Sequence, residues 1–138
     1  MAIPIIIPLA VGALLLAGCA KAITDARQTR PLASLEGSEW GPQNNTSSDQ
    51  FITFKSGGEI VGNGGCNNFF GQYTQDGTTL TIGALASTKK FCQGRMEAET
   101  AFIQTLQNTR RAEGTHKSLT LYGADGEILM ELKRRDWD

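Results

Sequence analysis

The ten residues from Gly62 to Gly71, GNGGCNNFFG, constrain the fold more than any other stretch. Four glycines and three asparagines in ten positions exclude an α-helix there, because each glycine in a helix interior costs about 1 kcal/mol relative to alanine. Glycine is needed where φ is positive or where another chain passes too close for a side chain. Asparagine tolerates the left-handed region and bonds nearby backbone. The stretch therefore predicts a tight structural corner.

The flanking sequence has the period of β structure. Phe51 to Lys55, FITFK, is aromatic and β-branched and predicts a strand. Ser56-Gly57-Gly58 turns the chain and Glu59 to Gly62 starts the return strand of a hairpin. Phe69 to Thr74 predicts the next strand, and Asp76-Gly77 a turn. Leu80 and Ile82 then share one face, as do Leu119 and Leu121, and Asp125-Gly126 leads into a closing strand, EILMELK. Pro42 to Gln50 is a polar loop, and the Asn44 and Asn45 sequons within it read as ordinary loop residues.

One segment, RMEAETAFIQTLQNTRRAE, has a helical period instead. Of Met96, Glu99, Phe102, Ile103 and Leu106, the apolar members fall on one stripe, which predicts a helix about four turns long. Gly94 precedes it, Glu97 and Glu99 suit its positive end, and Arg110 and Arg111 its negative end. The pattern predicts an α+β, mostly β, single domain, with about seven or eight strands and one helix packed on the sheet. A length of 138 residues suits one domain. The formal net charge of −1, with no Lys/Arg block, argues against nucleic acid as a partner.

The N-terminus is of another kind. Ala2 to Gly18 is apolar, and Pro4 and Pro8 oppose a regular helix. The run is short for crossing a bilayer, which takes about 20 apolar residues, and it fits the core of a secretion signal. Leu16-Ala17-Gly18-Cys19 resembles a bacterial lipobox, in which small residues admit a membrane peptidase and the new N-terminal cysteine carries lipid. The resemblance implies a signal peptide over residues 1–18 and lipidation of Cys19. Residues 19–34 then form a lipidated tether, and a domain over 35–133 is followed by a polar tail, 134–138. Each buried lipid methylene contributes about 0.8 kcal/mol, so several acyl chains hold stably. Ala20 lacks the aspartate that resembles an inner-membrane retention signal, so the expected address is the outer membrane, facing the periplasm.

Cys66 and Cys92 remain, and an even pair in an exported domain favours a disulfide. Spacing alone does not establish it, because the bond requires α-carbons within about 7 Å. A thiol enzyme would pair Cys66 with His116 as base, yet His116 sits in EGTHKS, a polar turn where a surface histidine is the simpler account. A zinc site wants three or four ligands and finds only Cys66, Cys92 and His116. A phosphate loop wants Gly-Lys-Ser/Thr ahead of a helix, which GNGGCN lacks. No catalytic residue, metal or cofactor is assigned on these grounds.

The ordered set Leu35-x-Gly37-x-x-Trp40, FITF, GGCNNFFGQY, Leu80-x-Ile82, ASTKKFC, Glu99-x-x-Phe102-x-x-x-Leu106 and Leu119-x-Leu121 resembles the META domain, whose usual bacterial form is the HslJ-type heat-shock lipoprotein. The likeness covers about residues 32–133. It implies a compact, barrel-like antiparallel fold with one helix against it. It marks Trp40, Gly65, Asn67, Gly71, Thr88, Glu99 and Phe102 as structural motif positions, with Trp40 packed in the core beside the helix. It further implies a cell-envelope role linked to stress or drug tolerance, without an assigned catalytic activity, and a binding or structural role without turnover is the expectation. An assembly factor that pilots a partner peptide or lipid in an apolar groove is the alternative from another class. The KRRDWD end, with Lys133, Arg134, Arg135 and Trp137, is expected to be solvated.

Overall fold

Burial alternates along most strands, as a period of two requires. The computed structural model describes residues 31–44 and 49–136. Its strands are β1 (Ser38–Pro42), β2 (Gln50–Phe54), β3 (Glu59–Gly64), β4 (Asn68–Asp76), β5 (Thr79–Ile82), β6 (Ala86–Ser87), β7 (Arg111–Gly114), β8 (Ser118–Tyr122) and β9 (Ile128–Arg134), with one helix, α1 (Met96–Asn108). In β5, Leu80 and Ile82 face inward, and in β8 Leu119 and Leu121 do. Ile52, Phe54 and Ile60 complete the inner faces of β2 and β3 with no exposed surface.

The strands run β3-β2-β1-β9-β8-β7-β5-β4 and a β3–β4 pairing closes the ring, so eight of them form an antiparallel barrel. Closure removes the free edges that make open sheets prone to aggregation. The nine residues of β4 serve three neighbours. Asn68 to Gln72 pair with β3, Tyr73 to Asp76 with β5, and Phe69 and Phe70 with the two-residue β6, which lies outside the ring.

Helix α1 packs against β3 and β5 and covers the core on that side. Phe102 and Leu106 are 2% and 0% exposed, and the Phe102 ring lies 6.1 Å from that of Phe69. The helix stops at Asn108 after 13 residues, close to the expected four turns, although a helical pattern can be followed on through Glu113. Thr109 turns to extended backbone at ψ 134°. Beyond it the pattern becomes a strand pattern, with Ala112 fully buried between half-exposed Arg111 and exposed Glu113. Arg110 fulfils the expected role at the negative helix end by donating to the carbonyl of Gln107 at 2.8 Å. Arg111 does not, because it belongs to β7 and stacks 4.0 Å over the Tyr122 ring.

Two further segments are more tightly held than their sequence suggests. Leu32, in the stretch read as tether, is buried in the core cluster, and the Leu35 N–H donates to Gln75 Oε1 at 2.9 Å. At the other end, β9 runs to Arg134, and the Arg135 N–H donates to the Glu39 carbonyl at 2.9 Å. Trp137 lies outside the described residues, as do residues 45–48 of the polar loop.

Leu106→Ala should destabilise the protein by about 2–5 kcal/mol in urea unfolding, because the barrel leaves a cavity there. Gln104→Ala, on the exposed side of the same helix, should stay within about 0.5 kcal/mol of wild type.

Candidate functional site

The glycine-rich stretch is the connection between β3 and β4. Asn63 and Asn68 are the last paired residues, and the Gly64 N–H donates to the Asn67 carbonyl at 3.0 Å. Gly65 sits at φ +114°, which a side chain opposes. The turn aims two backbone donors the same way. The N–H groups of Cys66 and Asn67 both reach Glu99 Oε1, at 3.1 and 2.5 Å. Gly64 makes room for this, since a Cβ there would lie 2.5 Å from Glu99 Cγ. The loop is thus an anion cradle after all, built from consecutive N–H groups, and the chain's own carboxylate fills it.

Asn67 extends the arrangement sideways. Its Nδ2 donates to Glu99 Oε2 at 2.8 Å and to the Lys90 carbonyl at 2.9 Å. Its Oδ1 accepts from the Lys90 N–H at 2.7 Å and from Thr88 Oγ1 at 2.8 Å. The side-chain amide therefore pairs with both backbone groups of Lys90, as a neighbouring strand would, and uses its full bonding capacity. Below it the pairing is ordinary β-ladder, Phe70 opposite Ala86 and Phe69 opposite Ser87, followed by the Thr88 N–H to the Asn68 carbonyl at 3.0 Å. Above it Cys66 is bonded to Cys92, with α-carbons 5.9 Å apart. Residues 66–70 and 86–92 thus form one antiparallel zipper made of ladder, side-chain amide and disulfide in turn. Gly71 continues it, because a Cβ there would meet Leu85 Cδ2 at 2.8 Å and the Ala84 carbonyl at 2.9 Å.

Glu99 is 4% exposed. Burial pushes its carboxyl upward, but the hydrogen bonds from the Asn67 side chain and from the Asn67 and Cys66 backbone, with the Lys90 charge, outweigh this and hold it below the usual value. Glu99 stands on the buried face of α1 with Phe102 and Leu106, which is the signal that it needs buried partners; its charge at the helix start and its place among the motif positions did not name them. Trp40 lies in the core at 2% exposure, and its indole N–H donates to Ser38 Oγ at 2.6 Å. While the Cys66–Cys92 bond is intact, Cys66 offers no thiolate. His116 is exposed in the β7–β8 turn. Among the described residues no three His, Cys, Asp or Glu side chains come together. Cys19 lies outside the described residues. A groove of about 430 Å³ runs between α1 and the outer half of the zipper, and Phe91, Met96 and Ile103 supply its apolar lining, with Lys89 and Lys90 beside them.

Glu99→Gln should cost about 1–3 kcal/mol, since its new amide N–H₂ would face either Asn67 Nδ2 or the two backbone N–H groups, donor against donor. A group whose pKa is lowered by folding stabilises fully above its unfolded value and loses that contribution as pH falls through the folded one. The stability gap between wild type and Glu99→Gln should therefore hold from neutral pH to about 5 and narrow below about 4 in urea unfolding.

The comparisons with known proteins agree with this geometry. A solved NMR structure of a protein from Burkholderia xenovorans superposes with a TM-score of 0.61 at 17% identity, covering 94% of this chain and 99% of that one. A second NMR structure gives 0.55 at 21% identity over 72% of this chain and 90% of the other. The crystal structure of a duf4847 family protein from Bacteroides vulgatus gives 0.53 at 23% identity over 65% and 62%. At these identities the likeness is one of fold. No curated protein matches the chain. The META domain family model matches residues 31–136, which include both halves of the zipper and the Glu99 that joins them, and the chain belongs to the META domain family.

Proposed function

We propose that the protein is a lipid-anchored META-domain lipoprotein of the bacterial cell envelope, of the HslJ type, held at the periplasmic face of the outer membrane through Cys19. It acts by binding or by structural support under envelope stress or drug exposure, not by turnover. The observation that carries this reading is the Cys66–Cys92 bond. Such bonds form and persist in oxidising, exported compartments and are rare in the cytosol, and the lipobox at Leu16 to Cys19 provides the matching export route. In the chain-entropy model a bridge over a separation of 26 residues is worth about 3.5 kcal/mol, a large share of a small domain's usual 5–15 kcal/mol.

Where α1 packs on β3 and β5 the interior is filled, which supports a scaffold over a pilot that clasps a peptide beneath the helix; the groove of about 430 Å³ lies instead between α1 and residues 87–91. Phe102 and Leu106 occupy the space beneath the helix with almost no exposed surface. The fold also gives no support to a thiol enzyme on Cys66 and His116, whose nucleophile is bonded to Cys92.

Metabolic labelling with a palmitate analogue tests the anchor. The wild-type chain should take up label and fractionate with outer membrane, and Cys19→Ala should lose both. An unlabelled, fully soluble wild type would remove the reading.

A further inference from the structure

The outer half of the zipper has features that neither its own stability nor the anchor at Cys19 requires. Phe91 is 79% exposed and Phe70 55%, the two most exposed aromatic side chains among the described residues. Chain connectivity limits how far apart they stand. Phe70 is paired with Ala86 across β4 and β6, and Phe91 follows Ala86 by five residues, a span of at most about 18 Å. Val61, half-buried, faces Phe70 from β3, so Ala86, Phe70 and Val61 form an apolar row on the outer wall of the barrel.

The segment that carries Phe91 has charge of one sign, whereas Glu59, two residues from Val61 on β3, and Glu39, bonded to the Thr53 that pairs with Val61, bring acidic groups to the row of Phe70. Residues 84–95 contain Lys89, Lys90 and Arg95 and no acidic residue, in a chain whose formal net charge is −1. Arg95 is engaged with Asp49 at 3.1 Å. Glu99 lies near Lys90 from the helix, but its oxygens already accept three N–H donors. Lys89 and Lys90 are exposed next to Phe91. The segment is also rigid, pinned by Asn67 and by the disulfide, so presenting Phe91 to a partner requires little further ordering.

We infer that the Lys89-Lys90-Phe91 segment docks on an anionic phospholipid surface. Aromatic side chains settle at the boundary between headgroups and acyl chains, and adjacent lysines are drawn to anionic headgroups. Phe91 keeps most of its surface open, which suits insertion into a bilayer better than the closing of a slot around a peptide. The site is within reach of a membrane if the chain is anchored at Cys19, and this step rests on the proposed anchor. Gln75 of β4 holds the incoming chain through the Leu35 N–H and the Ala33 carbonyl, at 2.9 and 3.0 Å. Phe70 is five residues back on the same strand, about 17 Å away. The eleven residues 20–30 span up to about 36–40 Å when extended.

The test uses the full chain purified with its own lipid and reconstituted into phosphatidylcholine vesicles with or without phosphatidylglycerol. Phe91→Trp in a Trp137→Phe background reports on the segment through quenching by brominated lipid. Flotation with the neutral vesicles reports on the anchor separately. The expected result is flotation with both vesicle types, and quenching only with phosphatidylglycerol. Lys89→Gln with Lys90→Gln should lower the docked-to-undocked ratio about 30-fold while the protein stays folded, its melting temperature lowered only by the loss of the Lys90 charge near Glu99. A chain that floats but is quenched in neither vesicle type overturns the docking and leaves the anchor standing. A chain that fails to float with neutral vesicles overturns the anchor. In that case lysine-dependent flotation with phosphatidylglycerol vesicles still supports the docking, and its absence overturns that too. Quenching that ignores both phosphatidylglycerol and the lysines overturns the electrostatic docking. An unquenched probe that crosslinks to an envelope protein overturns the lipid surface in favour of a protein partner.

Discussion

A buried carboxylate needs donors, and the arrangement around Glu99 follows from supplying them. The helix carries Glu99 inward on its apolar face, where an unpaired charge would be strongly destabilising. Three N–H groups from the β3–β4 turn meet it. Two of these are backbone donors from consecutive residues, so the turn must take a shape that few sequences allow. Gly65 supplies the positive φ and Gly64 the space. Gly64, Gly65 and Asn67 are therefore the imprint of one carboxylate held between a turn and a helix 32 or 33 residues away, whereas Gly62 and Gly71 answer to close packing against Phe51 and Ala84.

The disulfide is a second lock on a corner already held by Glu99 and Asn67. Asn67 joins the helix to the zipper because its four hydrogen bonds point two ways, to Glu99 and to the 88–90 backbone. Breaking the S–S bond would free the end of the zipper but leave the amide and the carboxylate in contact. The two are complementary in kind. The covalent bond acts chiefly on the unfolded chain by limiting its freedom. The polar contacts act on the folded chain by selecting one geometry.

The hairpins were legible from sequence because their inward residues alternate strictly, as in Leu80 and Ile82 or Leu119 and Leu121. Strand β7 after the helix was not, because Arg110 to Glu113 satisfy a helical charge pattern as well as a strand pattern. The barrel's need for a strand between β5 and β8 settles the matter there. β6 was invisible for a different reason. Two ladder residues leave no period, and the rest of that edge is carried by the Asn67 side chain and a disulfide. Cys66 and Cys92 were recognisable as a pair, and Asn67, Thr88 and Glu99 as motif positions, but not as one connected network. The clue was a glutamate on an apolar helical stripe, which obliges some other part of the chain to provide donors.

Amide hydrogen exchange at Cys66 and Asn67, followed by NMR in the oxidised protein and after reduction of the disulfide, tests most directly whether Glu99 holds the corner. If it does, both amides remain protected after reduction, while the Cys92 N–H, held by Met96 Sδ at 3.4 Å, exchanges faster. Exchange of the Cys66 and Asn67 amides at unfolded-chain rates in the reduced but still folded protein would show that the bridge alone holds the corner, and would contradict this account.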